Sequence, residues 1–184
     1  LGGADEAAAR TWLLGHGVPT EAVLPDGRRV FDAWLDRLPA TLAACEQLFD
    51  AGATAGGVGL PRRVLEAART APTAANGLAA FAQRLLDAGG DAFAPNSAGE
   101  TCLHLAAQLG ETALATRLLE RGSDPNARDR HGRTPLHAAL MSGQAPALVR
   151  SLVRYGADPE AAATNGETCL GLALARHDTA LKRW

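Results

Sequence analysis

The chain of 184 residues contains no isoleucine, a single lysine (Lys182) and few aromatic residues, 4% in all. With β-branched residues scarce and alanine and leucine plentiful, strands are disfavoured and helices favoured. The lysine-poor, arginine-, alanine- and glycine-rich composition also points to a GC-rich, bacterial genome. No apolar run approaches the roughly 20 residues that cross a bilayer, so no membrane role is expected. The net charge of −2 lacks the basic excess typical of a nucleic-acid binder. The opening LGGADEAAAR has no basic stretch leading into an apolar one and no initiator methionine. It reads as the start of a processed, tagged or excised piece, not as a secretory signal. Charged residues make up 21% and apolar residues 47%, a balance that suits a packed domain or a linear array.

What the chain does have is repetition. SAGETCLHLAAQLG (97–110) aligns with RHGRTPLHAALMSG (130–143) and with TNGETCLGLALARH (164–177), with Gly99, Gly132 and Gly166 spaced by 33 and 34 residues. A second column, Gly17, Gly52, Gly89, Gly122 and Gly156, has spacings of 35, 37, 33 and 34. Self-similarity at one period is the signature of a stacked array.

One unit can be read physically. Thr134 is a good N-cap and Pro135 suits the first helical position, where a missing N–H costs nothing. A helix is expected from Pro135 to Met141, stopping near Gly143. In the segment after it, Leu148, Val149, Leu152 and Val153 recur at three and four residues and make one apolar helical face. Gly156 is placed to end that helix in the left-handed conformation. Pro159 and Gly166 then mark a turning connection. Neither helix hides its apolar face alone, whereas stacked copies do, so the expected fold is an all-α solenoid of helix–turn–helix units.

The segments TPLHAA (134–139), TCLHLAAQLG (101–110) and GADPEA (156–161) resemble ankyrin repeats. The resemblance is near complete over 97–163, truncated over 164–184 and weak upstream. It divides the chain into a partial unit (1–24, with a lone second helix at 6–17), divergent repeats at 25–57 and 58–96, clear repeats at 97–129 and 130–163, and a shortened repeat at 164–184. The divergent 58–96 unit is longer than its neighbours, with a loop expected around Ala71–Gly77. The resemblance implies β-turn or hairpin loops between the helix pairs. It gives structural roles to Thr101, Thr134 and Thr168 at helix starts, to Pro135, to Gly122 and Gly156, and to His104 and His137, whose imidazoles tie neighbouring turns. The third copy has Gly171 in the histidine position.

Cys102 and His104 at a helix start suggest a nucleophile and base, but no third group orients them. Cys102 and Cys169 sit two repeats apart, roughly 20 Å if helix layers stack at about 10 Å, too far for a disulfide that needs Cα atoms within about 7 Å. Free, partly buried thiols suit a reducing compartment. His16, His104, His131, His137 and His177 show no metal-ligand spacing, and no metal or other cofactor is expected. GGVGLP (56–61) lacks the Gly-Lys-Ser/Thr ending of a phosphate loop and reads as a turn between units. Trp12 and Trp34 fall in helical apolar patterns and are expected in the core.

The remaining candidates lie on the surface. Equivalent loop-tip residues form one ladder: Ser97, Ala98 and Glu100, then Arg130, His131 and Arg133, then Thr164, Asn165 and Glu167. The ends of the first helices form another: Gln108 and Leu109, Met141 and Ser142, Ala175 and Arg176. The resemblance implies that both line a concave docking side. Arg128, Arg130 and Arg133 cluster at one tip, where guanidinium groups suit carboxylate recognition. Met141 offers adaptable contact area, and Tyr155 is a second candidate anchor. The expected function is non-catalytic binding of another protein, with no small-molecule substrate. Two alternatives are the targeting part of a larger enzyme, such as a bacterial effector, and a stand-alone inhibitor of one enzyme. The expected location is the cytoplasm, or the host cytosol for a secreted effector.

Overall fold

In the computed structural model, residues 42–50, 59–143 and 146–175 are described. The partial unit 1–24, most of the 25–57 repeat, Trp12, Trp34, His16, Gly17, Gly52, Arg176, His177 and Trp184 lie outside them.

Eight helices follow one another among the described residues: α1 (Leu42–Asp50), α2 (Leu60–Thr70), α3 (Ala75–Asp87), α4 (Cys102–Leu109), α5 (Thr112–Glu120), α6 (Pro135–Met141), α7 (Pro146–Arg154) and α8 (Cys169–Ala175). Helices α2, α4, α6 and α8 stack side by side as a front row. Behind them α3, α5 and α7 each pair with the preceding front helix, and α1 packs on α3. Helix α6 spans the residues expected from its Thr–Pro start. No strand forms among the described residues. Hairpin-like tips take their place, with one antiparallel bridge between Ala162 and Thr168.

The sequence explains the two rows. Front helices α4, α6 and α8 are short, and α4 and α6 carry small buried residues among their leucines. Ala106, Ala107 and Ala139 have no exposed surface, which lets neighbouring backbones approach. The back helices bring larger side chains on one face, among them Leu114, Leu118, Leu148 and Leu152, all buried. These residues belong to one continuous apolar cluster running from Cys45 to Ala173. Burying each leucine stabilises the stack by about 1.5–3 kcal/mol.

Back helices end as their glycines require. Gly122 has φ 88°. Its N–H donates to the Leu119 carbonyl at 2.9 Å, and the Ser123 N–H donates to the Leu118 carbonyl at 3.0 Å. This pair of bonds closes the orphan carbonyls of α5. Gly156 and Ala157 close α7 in the same way, onto Val153 and Leu152.

The divergent 58–96 unit differs from expectation. Ala71–Gly77 is not a loop: a 3-10 turn covers Pro72–Ala74, and α3 already starts at Ala75. Asn76 and Gly77, a turn signal by composition, sit in the first helical turn. Tertiary packing overrides the local preference there, because a Cβ on Gly77 would stand 3.1 Å from Leu42 Cδ2. Helix α1 therefore comes close to the first turn of α3. At its other end Phe49 meets Phe81 edge to face, ring centroids 5.9 Å apart, and Arg84 lies over the Phe49 ring at 5.4 Å while pairing with Asp50.

Candidate functional site

The front face is built from the loop tips, and each tip is organised by one side chain. Asn96 Oδ1 accepts from the Ala98 and Glu100 N–H groups, both at 2.8 Å. Asp129 Oδ1 accepts from the His131 and Arg133 N–H groups, both at 2.8 Å. The third tip has Ala163 at this position and uses Asn165 Oδ1 instead, which accepts from the Glu167 N–H at 3.1 Å. The tips are then zipped together. The Arg130 N–H donates to the Ala98 carbonyl and the Thr164 N–H to the His131 carbonyl, each at 2.9 Å. Close approach explains the glycine between them. Gly132 has φ 68°, and a Cβ there would stand 3.1 Å from the Thr164 nitrogen.

The histidines hold the helices beneath the tips. His104 Nδ1 accepts from the Thr101 N–H at 3.2 Å, and its Nε2 reaches the Arg133 carbonyl at 3.1 Å. A carbonyl only accepts, so Nε2 carries the proton and Nδ1 is the bare acceptor. His137 repeats the arrangement, with the Thr134 N–H on Nδ1 at 3.2 Å and the Glu167 carbonyl on Nε2 at 3.2 Å. Each pair forms a capping box in which imidazole replaces the usual Glu or Gln. Burial holds the His104 pKa below its ordinary value, so the ring is neutral and suited to this bonding. Thr168 keeps half of the device: its Oγ1 accepts from the Gly171 N–H at 3.0 Å, with no ring to continue the chain.

The cysteines are buried free thiols. The close cysteine–histidine pair is not Cys102 with His104 but Cys169 with His137, whose Sγ and Nδ1 lie 3.0 Å apart. Burial pushes the thiols of Cys102 and Cys169 up to about 12. Both are therefore protonated at neutral pH and are poor nucleophiles. Both His137 nitrogens are already engaged in holding backbone. No group of three or more metal-ligating side chains occurs among the described residues.

Between tips and front helices lies a cleft of about 500 Å³, lined by residues that include Arg69, Glu100, Gln108, Asp129, His131, Arg133 and Met141. Gln108, His131, Arg133 and Met141 are thus brought together. Met141 is 37% exposed. Glu100 is buried yet fully supported: Gln108 Nε2 donates to its Oε1 at 2.9 Å, Asn96 Nδ2 to its Oε2 at 2.9 Å, and Arg69 Nη1 to Oε1 at 3.2 Å. Burial alone would raise its pKa, but the hydrogen bonds from Asn96 and Gln108 and the Arg69 charge outweigh it and hold the carboxyl below its usual range.

The other candidates fall elsewhere. Arg130 is exposed at its tip. Arg128 directs Nη1 to the Ala162 carbonyl at 2.7 Å and the Gly132 carbonyl at 3.2 Å, so it braces one tip against the next. Asn165 is occupied in its own turn. Tyr155 is not on this face. It lines a separate depression of about 630 Å³ between α5 and α7, with its hydroxyl 3.4 Å from Glu120 Oε1. Arg69 and Asp129 also line the cleft, and the repeat pattern does not single them out. Arg69 occupies the penultimate position of α2, as Gln108 does in α4. Extending the first-helix ladder backward would have found it, but the 58–96 unit lacks the Thr-Pro-Leu-His start that sets the register.

No curated protein matches the chain. The family model for ankyrin repeats (3 copies) matches residues 71–163, the same stretch in which the helix pairs, tips and imidazole bridges recur. Ankyrin repeats are a non-catalytic fold that generally serves protein–protein interaction, and on that match the chain belongs to the ankyrin repeat family.

Proposed function

We propose that this protein works by docking another protein in the cleft between its loop tips and front helices, without catalysis of its own. The observation that carries this reading is a division of labour. The repeated residues spend their polar groups on the scaffold, while equivalent positions that differ in type from one repeat to the next, Ala98 and His131, Glu100 and Arg133, Gln108 and Met141, gather along one cleft. A rigid stack presenting variable side chains is suited to recognition because little conformational freedom is lost on binding. The buried free thiols suit a reducing, cytoplasmic setting. No helix among the described residues is long and apolar enough to cross a membrane.

The test is site-directed photo-crosslinking in the native cell, with a photoreactive amino acid replacing Met141 on the front face or Thr116 on the back. A protein adduct formed from position 141 and absent from position 116 supports front-face docking. Adducts formed equally from both positions, or only from 116, would sink it.

A further inference from the structure

The chemistry of the cleft selects among partners. Its carboxylates are already committed. Glu100 receives hydrogen bonds from Asn96, Gln108 and Arg69, and Asp129 Oδ1 receives two backbone N–H groups. Arg133, and Arg130 on the same tip, are not so committed. Among the described residues no carboxylate pairs with Arg130 or Arg133, whereas Arg62, Arg69, Arg84, Arg117 and Arg121 each have one. Arg69 spends only Nη1 on Glu100 and is 46% exposed. The exposed thioether of Met141 sits in the same cleft as Arg133. Unpaired guanidinium groups beside an adaptable apolar surface form a receptor for side-chain carboxylates flanking an apolar residue.

We infer that the front cleft takes an acidic segment of its protein partner, with Asp or Glu side chains on Arg133 and Arg130 and an apolar side chain against Met141. This rests on the front-face docking reading and adds the chemistry of the occupant. Arg133 lines the cleft and Arg130 is exposed on the same tip, so the tip offers two cationic contacts to the occupant. The occupant is a carboxylate-bearing peptide and not nucleic acid, because the whole chain carries a charge of −2 where a nucleic-acid binder carries a strong basic excess.

The experiment measures binding of the full chain to three fluorescent 15-residue peptides of equal apolar content, one acidic, one neutral and one basic, by anisotropy at low and moderate salt. Four proteins are compared: the parent, Arg130→Gln/Arg133→Gln, Arg130→Glu/Arg133→Glu, and the back-face control Arg150→Glu/Arg154→Glu. Urea midpoints verify that each variant is folded. The expected result is preference for the acidic peptide, weakened by salt. Affinity should fall by about tenfold or more, that is about 1.4 kcal/mol, in both front-face variants and stay unchanged in the control. Equal binding of all three peptides, no binding of the acidic one, or equal loss in front and back variants would overturn the inference. A neutral or basic peptide that binds in preference to the acidic one, with that binding lost in a fifth protein, Met141→Arg, would overturn the acidic assignment and leave front-face docking standing.

Discussion

The Nε2–H of His104 donates to the Arg133 carbonyl at 3.1 Å, so the imidazole that caps one front helix also holds the backbone of the next repeat's tip. The same carbonyl belongs to a residue that lines the front cleft. Scaffold and cleft thus meet at one residue.

Replacing His104 by alanine removes that bridge and strips the Thr101 N–H of its acceptor. Leaving a buried donor unpaired costs about 1–3 kcal/mol. Urea unfolding should show this loss, with a smaller one for Thr168→Ala, where no ring bridges to a neighbour.

His104 also sets a pH dependence. Its folded pKa lies below the ordinary 6.5, so the unfolded chain takes up the proton more readily. The stability of the neutral-ring state is fully present above that value and declines as pH falls through it toward the folded pKa, by at most about 1.4 kcal/mol per pH unit. Glu100 adds to the loss only at lower pH, since its folded pKa is below 4.5. Stability curves from pH 8 to pH 4 should flatten near pH 6 in His104→Gln. An unchanged slope there would remove His104 as the cause.

Two glycines separate strain from crowding. At Gly122 (φ 88°) a Cβ meets nothing within 4 Å, whereas at Gly132 (φ 68°) it meets the Thr164 backbone nitrogen at 3.1 Å. Gly122→Ala should cost only the left-handed penalty of about 1–2 kcal/mol. Gly132→Ala should cost more, because the tip-to-tip hydrogen bond must shift as well. Unfolding midpoints of the two variants check the order.

Cys102→Pro should stabilise. Cys102 is the first residue of α4, and Thr101 before it is extended at φ −92°, ψ 171°, a conformation compatible with a following proline. Reduced freedom of the unfolded chain predicts a gain of about 0.4–1 kcal/mol. In the parent protein, Cys102 and Cys169 should resist thiol reagents at pH 8 until urea exposes them, as their burial and raised pKa require.

Arg128→Ala should lower stability by about 1 kcal/mol, through its bonds to the Gly132 and Ala162 carbonyls. Acidic-peptide affinity should change far less than with Arg133→Gln. The reverse order would make Arg128 a docking residue after all.

The sequence by itself determined the period, the helix starting at Pro135, the glycine helix ends and the ankyrin resemblance. These are local matters: a cap, a missing N–H, a left-handed turn and an apolar face each depend on a few consecutive residues. The placement of Ala75–Gly77 in a helix depended on α1 packing against it. The commitment of Arg128 to the Ala162 carbonyl, the pairing of Cys169 with His137, the position of Tyr155 behind the stack and the entry of Arg69 into the cleft all join residues about 30 or more positions apart. Only the stacking of one repeat on the next decides such contacts, because periodicity states which residues share a column but not which of them find a partner in the neighbouring one.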